Sequence, residues 1–271
     1  ITMGNQLTFS GGGELDNGLN VALSFVLDHA DNVASGFDSH SITVSSDALG
    51  SITVAGDGTG NAQSALDTTA AGDIWDNGFT HGAAIGYTAM GGSDANNNKS
   101  INYTLPTLMD DLSVAVSYSG QTTATNSTTA FGATYTGVEG LSVSYGVGEA
   151  GSTTATAAAD VTTMKASYAI GSFTAAVSNT ENDRGSTGID EEMSSWKLSY
   201  TVSDDLSVSY GEETHETSGQ SVDEEFDAIS VSYTTGGMTI TAAQYNATGL
   251  ANTAGSDNEA ARWKLGASFA F

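Results

Sequence analysis

The last ten residues, 262–271, alternate without a break between an apolar and a polar or small set. The apolar set consists of Trp263, Leu265, Ala267, Phe269 and Phe271, and the other set consists of Arg262, Lys264, Gly266, Ser268 and Ala270. Because successive side chains of a β-strand point to opposite faces, this pattern predicts a strand with one apolar face. Aromatic residues stand at both ends of that face, which is typical of a strand whose ends meet the two interfaces of a membrane. We therefore expect Trp263, Phe269 and Phe271 to anchor a lipid-facing strand.

The composition limits the ways in which this chain can cross a membrane. It has 271 residues with 33 Gly, one Pro and no Cys, so no disulfide framework exists and the aliphatic content is low for a large two-layer soluble core. No window contains the roughly 18 consecutive apolar residues that a membrane-spanning helix requires. A membrane protein of this kind must therefore be a closed β-barrel, because only helices and closed barrels satisfy the backbone in lipid. No signal peptide is visible, so we expect a mature chain.

Alternation of the same kind recurs along the chain and predicts fifteen strands. The outward residues include Leu23 and Phe25 in the second strand, Val143 and Tyr145 in the eighth, and Leu198 and Tyr200 in the eleventh. Tyrosines recur near the strand ends, as an aromatic girdle at a membrane interface requires. The sequence therefore predicts an all-β fold, a transmembrane antiparallel β-barrel.

A short segment near the beginning carries a more specific signal. Residues 13–19 read Gly-Glu-Leu-Asp-Asn-Gly-Leu, in which 16–18 predict a hairpin turn between two strands. This segment, together with the terminal Phe271, resembles the general porins of Gram-negative outer membranes, including the alphaproteobacterial type. The resemblance implies a 16-stranded barrel in the cell outer membrane, assembled as a homotrimer. It also implies passive diffusion of ions and small hydrophilic solutes, and contact with outer-membrane lipid and lipopolysaccharide.

The connections between the predicted strands alternate between tight turns and longer loops, as in outer-membrane barrels. The tight turns lie near 16, 48, 107–110, 138, 171, 204 and 236, and the loops lie at 29–37, 58–96, 120–127, 149–159, 181–191, 214–225 and 248–258. Fifteen strands would give one more descending than ascending strand. We therefore expect residues 1–271 to be a single barrel domain whose first strand lies upstream of Ile1, giving sixteen. A strand at 83–89 is the alternative.

The loop at 58–96 is far longer than ordinary connections, which indicates a functional role. Its position between the fifth and sixth strands of a sixteen-stranded barrel is that of the constriction loop in general porins. Acidic residues mark its start and its length, namely Asp57, Asp67, Asp73 and Asp76, while Ile74, Trp75 and Phe79 are available to pin it to the wall. An ordinary exposed loop with solvated charges is the alternative.

Four basic residues, Lys165, Lys197, Arg262 and Lys264, fall on the parity opposite the apolar face. On the lipid face at mid-depth each would cost about 2–4 kcal/mol, so we expect them to face the lumen. Opposite an acidic loop they would create a transverse field, although Lys165 and Lys197 alternatively pair with nearby acidic loops. The chain has 32 acidic and 6 basic residues and a net charge of −26. This balance argues against nucleic-acid binding and predicts a cation-selective pore.

Enzymatic and cofactor sites have no support in the sequence. The four histidines, at 29, 40, 81 and 215, lie in or beside predicted loops and form no catalytic arrangement with Ser or carboxylates. We expect a protein that is not an enzyme and carries no cofactor. The acidic outer loops at 181–190 and 212–227 are candidate binding sites for Ca²⁺ or Mg²⁺. A secreted or surface-layer β-rich adhesin is the alternative function.

Overall fold

The computed structural model describes residues 7–27, 37–57, 60–66, 69–75, 79, 100–120, 127–150, 159–183, 189–255 and 258–269. In this part of the chain no helix is long and apolar enough to cross a membrane. The alternative strand at 83–89 lies outside the described residues.

Fifteen β-strands run through the described residues, in agreement with the number predicted from the alternation. They are β1 (Leu7–Glu14), β2 (Asn20–Leu27), β3 (Phe37–Ser46), β4 (Gly50–Asp57), β5 (Ser100–Thr104), β6 (Leu112–Ser119), β7 (Thr128–Val138), β8 (Leu141–Ala150), β9 (Ala159–Ile170), β10 (Phe173–Asp183), β11 (Glu191–Ser203), β12 (Leu206–Thr217), β13 (Glu224–Thr235), β14 (Met238–Thr248) and β15 (Ala260–Phe269). They form one sheet in which each strand is hydrogen-bonded to its neighbours in the chain. The pairings from β1 to β7 and from β10 to β15 are antiparallel. Short 3₁₀ turns occur at Ser64–Leu66 and Leu250–Asn252.

The two faces of the sheet differ in the way that the alternation predicts. Large apolar side chains on one face are exposed, for example Leu265 at 79%, Trp263 at 77% and Phe269 at 59%. The residues between them are small or polar, and many of those on β6, β10 and β11 are buried, such as Ser117 and Ser195. A water-soluble sheet buries its apolar face, so this inverted arrangement requires a nonpolar surrounding medium.

The tight turns form where left-handed backbone is available. Gly18 has φ of 81°, and the Leu15 N–H donates to the Leu19 carbonyl at 2.8 Å to close the first hairpin. Gly140 has φ of 77°, and a Cβ built there would lie 2.3 Å from the Ala169 carbonyl oxygen. Both positions therefore need glycine, for backbone conformation and, at 140, also for space.

The outer ends of β10 to β13 extend further than predicted. The loops expected at 181–191 and 214–225 are shorter, because β10 continues to Asp183, β11 begins at Glu191, β12 continues to Thr217 and β13 begins at Glu224. Apolar alternation stops at the membrane border, but a backbone ladder needs no apolar side chains. Polar pairs across the strands support these extensions, such as Asn182 Nδ2 donating to Glu191 Oε2 at 3.2 Å.

The chain divides into two compact units. The first contains residues 1–66, 91–135 and 146–161, and the second contains residues 67–90, 136–145 and 162–271. Strands β7, β8 and β9 contribute residues to both units. The long connection after β4 also contributes to both, so its contacts are described separately for each.

Candidate functional site on the polar face

In the first unit, residues 60–66 lie on the polar face of the sheet. The Ala62 N–H donates to Ser117 Oγ of β6 at 2.8 Å, and Asn102 Nδ2 of β5 donates to the Gly60 carbonyl at 3.2 Å. Asn61 closes the local turn, because its Oδ1 accepts the N–H groups of Gln63 at 2.9 Å and Ser64 at 2.8 Å. This start of the long connection is therefore bound to the wall by its backbone.

Glycines on β7 and β8 provide the space in which this segment sits. A Cβ at Gly132 would lie 2.2 Å from the Ala62 carbonyl oxygen, and one at Gly148 would lie 3.1 Å from Cβ of Gln63. The Gln63 side chain is fully buried there, with 0% exposure. Any larger side chain at position 132 would displace the segment, because the atom that it meets belongs to the backbone.

In the second unit, residues 69–75 are bound to the polar face in a similar way. The Ala70 N–H donates to Ser178 Oγ of β10 at 2.8 Å, and the Ala71 N–H donates to Ser195 Oγ of β11 at 2.8 Å. Nζ of Lys197, on the same face of β11, reaches the Ala71 carbonyl at 3.5 Å. Serine hydroxyls therefore accept backbone N–H groups from the long connection in both units.

Glu213 of β12 is a further anchor of this segment. Its side chain is buried, accepts the hydroxyl of Thr69 and accepts the Trp75 N–H at 3.1 Å. Thr69 and Asp73 are also bonded to each other, since the Thr69 N–H donates to Asp73 Oδ1 at 2.9 Å and the Asp73 N–H donates to Thr69 Oγ1 at 2.7 Å. The segment is thus a compact turn held by one wall carboxyl group in addition to Ser178 and Ser195.

A small hydrophobic core lies on the polar face next to this turn. Its buried members are Ile74, Phe79, Phe226, Ala228, Ala247 and Leu250. The rings of Phe79 and Phe226 pack at a tilt with centroids 5.9 Å apart, and Cζ of Arg262 lies 5.8 Å from the centroid of the Phe79 ring. Ile74 and Phe79 come from the long connection, so apolar contacts add to the hydrogen bonds that hold it.

The structure brings some of the predicted site residues together with the long connection. Lys197 and Arg262 contact it, Asp73 belongs to its bonded turn, and Lys165 is half-buried on β9. Lys264 is exposed and lies opposite Ala243 of β14. Asp57 is the last residue of β4.

Several residues singled out from the sequence lie outside the described part of the chain: Asp67, Asp76, Phe271, His29 and His81. The remaining predicted anchors, Trp263 and Phe269, are exposed on the apolar face of β15. Their role as membrane anchors stays a prediction.

The sequence did not predict the roles of Glu213 and Phe226. It also did not predict the roles of the three serines that bind the long connection, Ser117, Ser178 and Ser195. Phe226 carried a usable signal, because it is an aromatic residue on the polar parity of a strand whose apolar parity holds Ile229, Val231 and Tyr233. His215 was expected in or beside a loop, but it is buried within β12, with Nδ1 3.3 Å from Oε2 of Glu224. The error follows from the unpredicted extension of β12 and β13.

Acidic residues concentrate at the outer ends of β10 to β12. Together with Asn182 and Ser218, these acidic residues line an open cleft of about 340 Å³. They are Glu181, Asp183, Asp190, Glu191, Glu192 and Glu216. Within the described ranges, no group of three or more His, Asp or Glu has the geometry to hold a metal ion. Binding of Ca²⁺ or Mg²⁺ to the outer loops therefore stays a prediction.

An antiparallel sheet with an exposed apolar face, and with its polar face covered by a loop of the same chain, defines a membrane-spanning β-barrel channel. The family model of the Gram-negative porins matches residues 1–271, and the chain belongs to this family. It is therefore an outer-membrane channel protein. The predicted family, the antiparallel barrel class and the outer-membrane location are confirmed.

Solved porin structures resemble this chain in fold. A porin refined at 1.8 Å resolution has a TM-score of 0.69 at 16% identity, covering 98% of this chain and 92% of its own. The anion-selective porin from Comamonas acidovorans has a TM-score of 0.64 at 16% identity, covering 90% and 79%. OmpT of Vibrio cholerae in its trimer form has a TM-score of 0.63 at 16% identity, covering 90% and 80%. A comparison with curated proteins gave no match.

Proposed function

We propose that this porin is a cation-selective channel for passive diffusion of ions and small hydrophilic solutes, with residues 58–96 as its constriction loop. The observation that carries the proposal is the binding of the loop backbone to the polar face through Ser117, Ser178 and Ser195. A loop on the polar wall occupies cross-section that water and solutes would otherwise fill. It therefore limits the size of solutes that pass.

The acidic residues of the loop and the basic residues of the wall together set the field in the pore. We assign Asp67, Asp73 and Asp76 to the loop side of the constriction, with Asp57 at the end of β4 where the loop begins. We assign Lys165, Lys197, Arg262 and Lys264 to the wall side. Two of these cations, Lys197 and Arg262, lie against a loop carbonyl and a loop aromatic ring, which supports their place at the constriction. With a net charge of −26, the summed potential favours cations.

The fold alone does not decide the sign of selectivity. The Comamonas acidovorans porin has a similar fold and is anion-selective, at 16% identity to this chain. Selectivity therefore depends on the charged side chains that line the narrowest part. In this chain the acidic residues outnumber the basic ones, 32 to 6.

We further propose a homotrimer, as the trimer form of Vibrio cholerae OmpT exemplifies among proteins of similar fold. Trp263, Phe269 and Phe271 would place β15 between the two membrane interfaces, because aromatic side chains favour the headgroup region. Lipid and lipopolysaccharide are the expected surroundings of the apolar face.

The deciding experiment is a reversal-potential measurement in a planar bilayer under a KCl gradient. The expected result is a potential of the sign given by K⁺ moving faster than Cl⁻. Combined replacement of Asp67, Asp73 and Asp76 by Asn should reduce that potential. A chloride preference in the unmodified protein contradicts the selectivity, and absence of any conductance from folded protein contradicts the channel itself.

A further inference from the structure

The connection between β14 and β15 contains a turn at residues 249–253 with an unusual backbone. Gly249, Ala251 and Asn252 have φ of 66°, 59° and 53°. Ala251 is neither Gly nor Asn, and left-handed backbone at such a residue persists only where surrounding contacts fix it. Within the turn, the Thr253 N–H donates to the Gly249 carbonyl at 3.3 Å. The contacts that fix this conformation identify the surface against which it packs.

Two contacts direct the 249–253 turn onto the polar face of the sheet. The Ala251 N–H donates to Oε1 of Glu224 at 2.8 Å, and Leu250 is only 4% exposed. Glu224 is itself fully buried, and its second oxygen lies 3.3 Å from Nδ1 of His215. A loop extending into solvent would leave Leu250 exposed and would not need an acceptor for the Ala251 amide.

The 249–253 turn packs in the same apolar cluster as the constriction loop. Leu250 belongs to the buried cluster that holds Ile74 and Phe79 of the loop and Phe226 of β13. The guanidinium of Arg262 lies over the Phe79 ring, with its Cζ 5.8 Å from the ring centroid. Leu250 of the turn therefore packs in the same cluster as Ile74 and Phe79, and this cluster lies next to Arg262.

We propose that the 249–253 turn is a second pore-restricting element, which clamps the constriction loop through Leu250 and narrows the channel beside it. This inference rests on the proposed pore function and assigns a specificity role to a different connection. Residues 249–253 carry no charged side chain, so the restriction that they impose is steric. The turn therefore selects solutes by size.

The first experiment tests the docking of the turn without requiring conduction. The chain has no cysteine, so Leu250→Cys introduces a single thiol whose labelling by a charged maleimide reports its exposure. The matched control is Thr253→Cys, because Thr253 is exposed in the same turn. We expect Leu250→Cys to react at least about tenfold more slowly, since buried sites react only through local opening. Heat-modifiable electrophoretic mobility verifies that each variant is folded.

Coupling to the constriction loop is tested in the same background. Adding Phe79→Ala to Leu250→Cys removes the loop's aromatic ring from the cluster and should raise the labelling rate toward that of Thr253→Cys. Equal labelling rates for Leu250→Cys and Thr253→Cys in the otherwise unmodified protein overturn the proposal. A labelling rate of Leu250→Cys that Phe79→Ala does not change also overturns it.

The second experiment tests the restriction itself. Leu250→Asp places a charge in the cluster and should release the turn, giving a larger single-channel conductance and faster uptake of larger sugars into proteoliposomes. Leu250→Met preserves an apolar side chain of similar volume and should change the conductance much less than Leu250→Asp does. A docked Leu250 with unchanged conductance in Leu250→Asp overturns the restricting role. Failure of the pore function is recognised separately, because then the unmodified protein does not conduct.

Discussion

Oε2 of Glu213 accepts the backbone N–H of Trp75 at 3.1 Å, although the two residues lie 138 positions apart in the chain. The same carboxylate accepts the Thr69 hydroxyl. Wall strand β12 thus supplies one buried group to both ends of the 69–75 turn. The two ends of this turn therefore share one wall side chain, in addition to the hydroxyls of Ser178 and Ser195 that hold its middle.

Replacement of Glu213 by Ala should loosen the loop. Trp75 and Thr69 lose their acceptor, and a buried donor without a partner costs about 1–3 kcal/mol. We expect larger conductance and more open-channel noise in single-channel recordings. Glu213→Gln keeps one acceptor oxygen and should show a smaller effect. Glu216→Ala, at an exposed position on the same strand, should change neither quantity. Noise in Glu213→Ala equal to that of the unmodified protein would refute the anchoring role.

Replacement of Gly132 by Ala should displace the beginning of the loop. The new Cβ would lie 2.2 Å from the Ala62 carbonyl oxygen, which a backbone atom cannot tolerate without moving. Position 63 is buried in the unmodified protein. A cysteine placed there by Gln63→Cys should become accessible to a charged thiol reagent when Gly132→Ala is added. Gly11→Ala is the matched control, because nothing lies within 4 Å of a Cβ there. Unchanged labelling of position 63 in Gly132→Ala would contradict the close packing.

Removal of the basic charges on β15 should strengthen cation preference. Arg262→Gln with Lys264→Gln removes positive charge from the wall, so the reversal potential under a KCl gradient should move further toward that of K⁺. The shift should shrink with salt, because the Debye length falls from about 10 Å at 0.1 M to about 3 Å at 1 M. Arg184→Gln, in the loop predicted at 181–191, serves as the charge control. A shift toward Cl⁻ would falsify the assignment.

A charge on the apolar face should destabilise the protein far more than one on the polar face. Leu198 is 46% exposed on the apolar face of β11, and Ser199 follows it on the polar face. Leu198→Lys should lower the free energy of unfolding from lipid vesicles by about 2–4 kcal/mol, whereas Ser199→Lys should change it little. Denaturant titration in vesicles measures both. Equal losses at the two positions would be incompatible with a lipid-facing Leu198.

Local sequence determined the strands, their faces and the tight turns. A face is defined by residues two positions apart, and the transfer of side chains to lipid imposes a strong alternation, so Leu198 and Tyr200 were assigned correctly. The turn at Asn17 and Gly18 was equally readable, because few residues adopt left-handed backbone. The outer strand ends could not be predicted, since residues such as Asn182 and Glu191 pair through polar groups that also occur in loops.

Only the tertiary structure decided which residues hold the loops. Ser195 bonds the Ala71 amide across 124 positions, yet nothing local distinguishes it from the many other serines of the chain. Glu213 and Leu250 likewise depend on which strands and turns meet on the polar face. The physical reason is that every strand crosses the same lipid, so every strand needs the same alternation of apolar and polar residues. Each loop contact, in contrast, is made once, between small or polar residues whose partners are fixed only when the chain has folded.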